Sequence, residues 1–200
     1  MRILEIDQGS PEWLALRQSK ITGTDAGILT GSNPFKTKVD LWKQKLGLAP
    51  RDEPNAAMKR GSELEEPARW LLSESLGINF KPAVAISDTY EWMMASLDGL
   101  SPCLRFMCEI KCPSQKYHNE AKEGVIQQYY RDQIQHCLAV TECEKCYFCS
   151  YLPKDEREIV IIEVYPNLEK QAEIIAKGQE FYINMCTMNP PKEWELEMKK

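Results

Sequence analysis

Ten residues separate Asp98 from Glu109, and Lys111 follows Glu109 by two. In Leu97-Asp98-Gly99-Leu100 the acid reads as a turn residue at the end of one strand, and Glu109-Ile110-Lys111 lies on the next. Alternation along that second strand aims Glu109 and Lys111 at the same face, and the intervening residues suffice for a turn and a returning strand. Two carboxylates converging on one point form an oxygen-ligand site of the kind that suits magnesium. Beside a phosphodiester such a site polarises the phosphoryl group and holds a water, while Lys111 orients that water or helps deprotonate it. A buried ammonium is costly in an idle core and apt next to a scissile phosphate. The spacing alone leaves a second reading open, in which Asp98-Gly99 is a simple hairpin turn and Glu109 and Lys111 face solvent.

The elements that must position these residues are readable from period and punctuation. Ser10-Pro11-Glu12 starts a short helix ending near Lys20, and Ile21-Thr22-Gly23-Thr24-Asp25 is a second start. Asn33-Pro34-Phe35 breaks the chain before a helix through Val39, Leu41, Trp42 and Leu46, which Gly47 stops. From Met58 to Leu76 the apolar positions Leu64, Ala68, Leu71, Leu72 and Leu76 recur at helical spacing, with Gly77 at the C-terminal cap. Pro82 to Ile86, Trp92 to Ala95 and Leu104 to Lys111 then read as consecutive antiparallel strands. Val125 to Val140 returns to helix, and Lys145 to Leu152 and Glu158 to Val164 form two further strands. Asn167 caps a last helix that ends before Pro190-Pro191. The resulting class is α/β, a mixed α+β sheet flanked by helices.

A hydrophobic content of 43% over 200 residues is enough for one substantial core, and a single domain over 1–200 is expected. No apolar run reaches bilayer length and the amino terminus lacks a secretion signal, so a cytoplasmic location with no membrane contact is expected. Eight cysteines in a chain of this size read as free thiols. The net charge of −5 argues against indiscriminate nucleic-acid binding. Between Lys36 and Arg60, however, seven basic residues, Arg51 among them, meet three acids, Asp40, Asp52 and Glu53.

The order of an acid-rich helix, Asp98-Gly99, Glu109-Ile110-Lys111-Cys112-Pro113 and a helix carrying Gln133-Ile134-Gln135 resembles the PD-(D/E)xK nucleases. In detail it is similar to their lambda exonuclease or YqaJ-like viral recombinase branch, from about Trp13 to Val164. Leu97 stands where the motif name has proline, a position that varies freely among these nucleases. The resemblance implies a restriction-endonuclease-like core and a processive 5' to 3' exonuclease on double-stranded DNA ends, leaving 3' overhangs. It implies Mg2+, or Mn2+, as two ions per site held by Asp98, Glu109, the Ile110 carbonyl and Glu65. Lys111 would be the catalytic lysine and Gln133 a polar residue of the same site. Arg17, Thr24 and Ser96 would clasp the 5'-phosphate. A homotrimeric ring, a single-strand annealing protein as partner in recombination and a phage or prophage gene in a bacterial host are implied as well.

Rival readings are an endonuclease, a 3' to 5' exonuclease, or an inactive module that binds DNA ends. The resemblance also turns the basic stretch into a surface for a DNA backbone. Cys143, Cys146 and Cys149 have the spacing of an iron–sulfur motif. Alternation sends Cys146 and Cys149 to opposite faces of a strand, so no cluster is expected. His118 and His136 suggest no catalytic arrangement, only surface or core roles.

Overall fold

The computed structural model describes residues 1–50, 53 and 55–194. In chain order the elements are β1 (Arg2–Leu4), α1 (Pro11–Ser19), β2 (Ile21–Thr22), α2 (Gly23–Thr30), α3 (Lys38–Lys45), α4 (Ala56–Leu76), β3 (Lys81–Ile86), β4 (Met93–Leu100), β5 (Phe106–Lys111), α5 (Gln115–Lys122), α6 (Gln128–Thr141), β6 (Lys145–Tyr151), β7 (Ile159–Val164) and α7 (Leu168–Cys186). The strands make one mixed sheet in the order β1-β3-β4-β5-β6-β7, and β2 pairs with β4 off this path. β5 and β6 run parallel, which needs a long crossover, and α5 and α6 supply it. The helix α5, with the two-residue β2 and the three-residue β1, has no clear periodic signal in the sequence. Pro67 sits inside α4.

Helices cover both faces of the sheet. On one face Met93, Ala95, Leu97, Met107 and Phe148 pack with Ile134, Cys137 and Leu138 of α6. On the other, Cys108, Ile110, Tyr147 and Cys149 cover Ala68 and Leu72 of α4. β4 and β5 are thus enclosed from both sides, which buries Glu109 and leaves Asp98 and Lys111 half-buried.

One sequence expectation is corrected at the point that matters most. Asp98-Gly99 is no hairpin turn, because β4 runs on to Leu100 and the reversal falls at Ser101 to Arg105, with Leu104 at φ 60°. β3 pairs Lys81 with Leu100 and Ala83 with Leu97. One residue of β3 therefore opposes two of β4, and the bulge consists of Asp98 and Gly99. Gly99 is there for room: a Cβ on it would lie 2.6 Å from Sγ of Cys108 and 2.8 Å from Cβ of Phe80. A bulge re-aims the residue it contains, which is how Asp98 leaves the regular alternation of β4.

The amino-terminal helices are locked by a buried ion pair. Lys45 Nζ lies 2.7 Å from Oδ2 of Asp25 and donates to the carbonyls of Arg17 and Lys20 at 2.7 and 2.6 Å. The same Asp25 oxygen accepts from the Thr22 amide and hydroxyl at 2.8 and 2.9 Å, capping α2. Burial pushes the Asp25 carboxyl up, but Lys45 and its hydrogen bond outweigh this and leave it below the usual carboxylate range. Lys45 thus serves the interior instead of a DNA backbone. Its neighbours Arg51 and Asp52 in the basic stretch lie outside the described residues. No helix among those described is long and apolar enough to cross a membrane. Lys45→Met leaves Asp25 buried without its cation and should lower stability by about 3–5 kcal/mol. Urea unfolding checks this, and a loss under about 1 kcal/mol would mean that Asp25 finds another partner or takes up a proton cheaply.

Candidate active site

Where the bulge begins, the β4–β5 ladder stops. Gly99 pairs with Cys108 and Leu100 with Met107, and beyond them the Ile110 amide donates to Oδ2 of Asp98 at 2.7 Å. A carboxylate has replaced the main-chain acceptor, so Asp98 is pinned against the strand that carries Glu109 and Lys111. Glu109 is buried, and its Oε1 accepts from Lys111 Nζ and, at 2.7 Å, from Nε2 of Gln133 on α6. The Lys111 ammonium lies 4.8 Å from the centroid of the Tyr130 ring, also on α6. From the other face α4 contributes Arg69, which donates through Nη1 to Oε1 of Glu65 at 3.1 Å and to the main-chain carbonyl of Asp98 at 3.0 Å. Glu109 and Lys111 share a face as alternation predicts, and the solvent-facing alternative for them does not hold.

Burial and mutual repulsion leave this cluster short of positive charge. Burial, with Asp98 and Glu65 adding, pushes the Glu109 carboxyl up to about 7 against the pull of Lys111. Asp98 is raised by burial, with Lys111, the Ile110 amide and Arg69 opposing. Glu65 is raised by burial and by Asp98. For Lys111 burial acts downward, but Glu109 and Asp98 overcome it and hold the group above the usual lysine range. Three carboxylates share two side-chain cations, an imbalance that a divalent cation would relieve, and the donors are all oxygen. The carboxylates of Asp98 and Glu109 therefore fit magnesium. Glu65 is turned to Arg69, and among the described residues no three His, Cys, Asp or Glu groups converge closely enough to form a metal cluster by themselves.

A second polar group adjoins the first. Trp13 Nε1 donates to Oγ of Ser96 at 2.9 Å. The Arg17 guanidinium lies 4.5 Å over the Trp13 ring and donates to Oγ1 of Thr24 at 3.1 Å. Arg17, Thr24 and Ser96 thus come from α1, α2 and β4 into one chain of contacts, with Thr24 in the first turn of α2 where free amides favour an anion. Ser96 stands two residues before Asp98 on β4. Gly23 joins the two groups across the helix interface, since a Cβ there would lie 2.9 Å from Sγ of Cys137 and 3.1 Å from Cγ of Gln133.

Every sequence-assigned site residue falls in one of these two groups. The roles of Arg69, Tyr130 and Trp13 were not legible. Arg69 belongs to the family-like block of Gly61, Glu65 and Ala68-Arg69; Tyr130 and Trp13 look like ordinary amphipathic positions, and only the fold shows that the polar or aromatic end of each reaches another element. Cys146 and Cys149 do face opposite sides of the sheet, one in each hydrophobic cluster. Both histidines are core residues. His118 bonds Oγ of Ser150 and the Arg157 carbonyl at 2.8 Å each, and burial pushes His136 down to about 4.

A mixed sheet flanked by helices, with an acid at a strand bulge and Glu-x-Lys on the adjacent strand, is the fold of the PD-(D/E)xK nucleases. Residues 12–144 match the YqaJ-like viral recombinase domain, and the chain belongs to that family. It is 31% identical to the Bacillus subtilis (strain 168) protein YqaJ over 142 residues, which are 68% of this chain and 44% of YqaJ. Similarity to protein R354 of Acanthamoeba polyphaga mimivirus is 25% over 163 residues, or 74% of this chain and 29% of R354. The chain thus spans less than half of either relative. Among solved structures, the alkaline exonuclease LHK-Exo from Laribacter hongkongensis superposes with a TM-score of 0.77 at 26% identity, covering 95% of this chain and 97% of that one. LHK-Exo in complex with dAMP gives 0.76 at 25%, over 96% and 100% of the two chains. A phage-related exonuclease from Haemophilus somnus 129PT shares the fold, with a TM-score of 0.62 at 16% identity over 84% and 96%.

The contact at Gly23 gives a test of the coupling between the two groups. Gly23→Ala should force α2 from α6, lower stability by about 1–3 kcal/mol and displace Gln133 from Glu109. The Gln133 side-chain amide resonance reports this, and an unmoved resonance would mean that Cys137 alone absorbs the methyl group.

Proposed function

We propose that the chain is a DNA nuclease, and specifically a magnesium-dependent 5' to 3' exonuclease that resects duplex ends to 3' overhangs. The observation that carries this reading is the convergence of Asp98, Glu109, Lys111 and Gln133 from β4, β5 and α6 on one point. The likeness to LHK-Exo over almost the full length of both chains supports it.

Asp98, Glu109 and the Ile110 carbonyl would hold one Mg2+ or Mn2+, and Glu65, beside Asp98, would help to hold a second. The ions would supply Lewis acidity at the scissile phosphate and charge for the leaving 3' oxygen. Lys111, kept as an ammonium by its carboxylate neighbours, donates from Nζ and orients the attacking water. Gln133 fixes Oε1 of Glu109, and Tyr130 keeps the lysine from swinging out of line. Arg69 neutralises part of the charge on Glu65 and anchors the Asp98 main chain.

Polarity in this reading comes from the neighbouring pocket. Arg17, Thr24 and Ser96 would take the 5'-terminal phosphate, since a guanidinium and two hydroxyls at a helix start complement a phosphate dianion. Each cleavage leaves a new 5'-phosphate, so the same pocket can draw the duplex forward. A homotrimeric ring around the duplex, transfer of the 3' strand to a single-strand annealing protein, and a phage or prophage gene acting in bacterial cytoplasm complete the proposal.

A linear duplex labelled at one 5' end, with and without the 5'-phosphate, tests it in magnesium and in manganese. Wild type should release the label as a mononucleotide in its first cleavage, and faster from the phosphorylated end, whereas a ladder of shortened labelled strands would mean 3' to 5' polarity; Lys111→Ala should bind and lose at least about a hundredfold in rate. Cutting of circular DNA at an equal rate favours the endonuclease reading, and inert wild type the binding module. Arg17→Ala should shorten the run of nucleotides removed per encounter more than it slows a single cleavage, and equal losses would sever pocket from processivity. Cation binding carries a pH signature. A Glu109 carboxyl at about 7 must lose its proton to ligate, so apparent Mg2+ affinity should rise with pH up to about 7 and level off above it, with proton release visible by calorimetry in two buffers. A flat profile would remove Glu109 from the ligand set.

A further inference from the structure

Aromatic rings lead outward from Lys111 to the surface, and the reading just given does not use them. Tyr130, under the lysine, lies 4.2 Å from the ring of Tyr129, and Tyr129 meets Phe35 edge-on at 6.0 Å. Phe35 is 74% exposed and Tyr117, on α5, is 40% exposed. Two separate segments, the α2–α3 connection and α6, therefore bring aromatic rings into contact.

The most exposed ring is not loosely hung. Asn33 Oδ1 accepts from the amides of Phe35 and Lys36 at 2.8 and 3.2 Å, and the Asn33 amide donates to the Gly27 carbonyl at 2.9 Å. Gly27 also lets α6 come close, because a Cβ there would lie 3.0 Å from Cβ of Tyr129. The chain holds a large apolar side chain out in water on a fixed turn. Its display on a fixed turn, in contact with Tyr129, leaves the ring face open to a ligand. Cations alternate with the rings: Lys111 over Tyr130 and, at 5.4 Å, Lys116 over Tyr117. Exposed rings interleaved with ammonium groups and continuous with a phosphate-cleaving site match what binds single-stranded DNA without reading its sequence, stacking for the bases and charge for the backbone.

We propose that Phe35 and Tyr129 form a stacking shelf that holds unpaired bases of a DNA strand at the mouth of the Lys111 site. The inference rests on the nuclease reading for the identity of the ligand, but its test does not depend on cutting. A paired end buries its bases in the duplex, so a shelf of this kind favours frayed or melted ends. Phe35 acts here as a positioning residue and touches no reacting atom.

A short oligothymidylate carrying one 2-aminopurine, mixed with the full chain in chelator so that nothing is cleaved, reads stacking as fluorescence quenching. Wild type should bind and quench. Phe35→Leu, which keeps apolar bulk, should bind about tenfold more weakly with most of the quenching lost, and Phe35→Trp should restore both. Equal affinity and quenching in wild type and Phe35→Leu overturns the shelf, as does failure of wild type to bind the strand. The nuclease reading stands or falls separately on the end-labelled duplex. A wild type that cuts but shows no Phe35-dependent quenching retains that reading and loses this one.

Discussion

The bond from the Ile110 amide to the Asp98 carboxylate is the constraint on which the site rests. An antiparallel ladder would ordinarily give that amide a carbonyl across the strand gap, and a buried amide left alone would cost on the order of 1–3 kcal/mol. The β4 bulge withdraws the main-chain partner and supplies a side chain in its place. Satisfying the backbone and aiming an acid at Glu109 are therefore one act. The bulge in turn needs Gly99, because Cys108 and Phe80 occupy the space where any Cβ would go.

Around that point charge is arranged so that no carboxylate is fully compensated. Lys111 serves Glu109 directly and Asp98 at longer range, Arg69 serves Glu65 and the Asp98 main chain, and burial raises the cost of every anion. In a merely structural core such an excess is a liability that a smaller or apolar residue would remove. Its persistence between two layers of helix packing is what separates a candidate reaction centre from an ordinary buried ion pair such as Asp25–Lys45, in which one anion meets one cation and four further hydrogen bonds complete the two groups.

Much of this was legible in the sequence, and the part that was not has a common physical origin. Period and caps located most of the helices and strands to within a few residues, because Ser10, Asn167 and Gly77 act locally and their signals need no partner. The two-residue alternation of Glu109 and Lys111 likewise survives any fold that leaves β5 extended. Asp98-Gly99 misled because the dipeptide has two uses, a tight turn or a close approach of strands, and only Phe80 and Cys108 decide between them. The residues Arg69, Tyr130 and Trp13 act through contacts with residues 29, 19 and 83 positions away in the chain, and no local spacing assigns them those roles. The assignment of Arg17, Thr24 and Ser96 came from family likeness, and the fold joins them through a tryptophan that likeness had not singled out.

The short helix α2 has a consequence of its own. Its first turn carries Thr24 in one polar group, its Gly23 touches Gln133 of the other, and its capping aspartate is bolted by Lys45 to the ends of α1 and α3. The separation between the two polar groups is thereby set by rigid packing and not by loop conformation. A molecule that occupied both would be gauged against a fixed length, and α2 would act as a ruler whose graduation no single surface substitution could change.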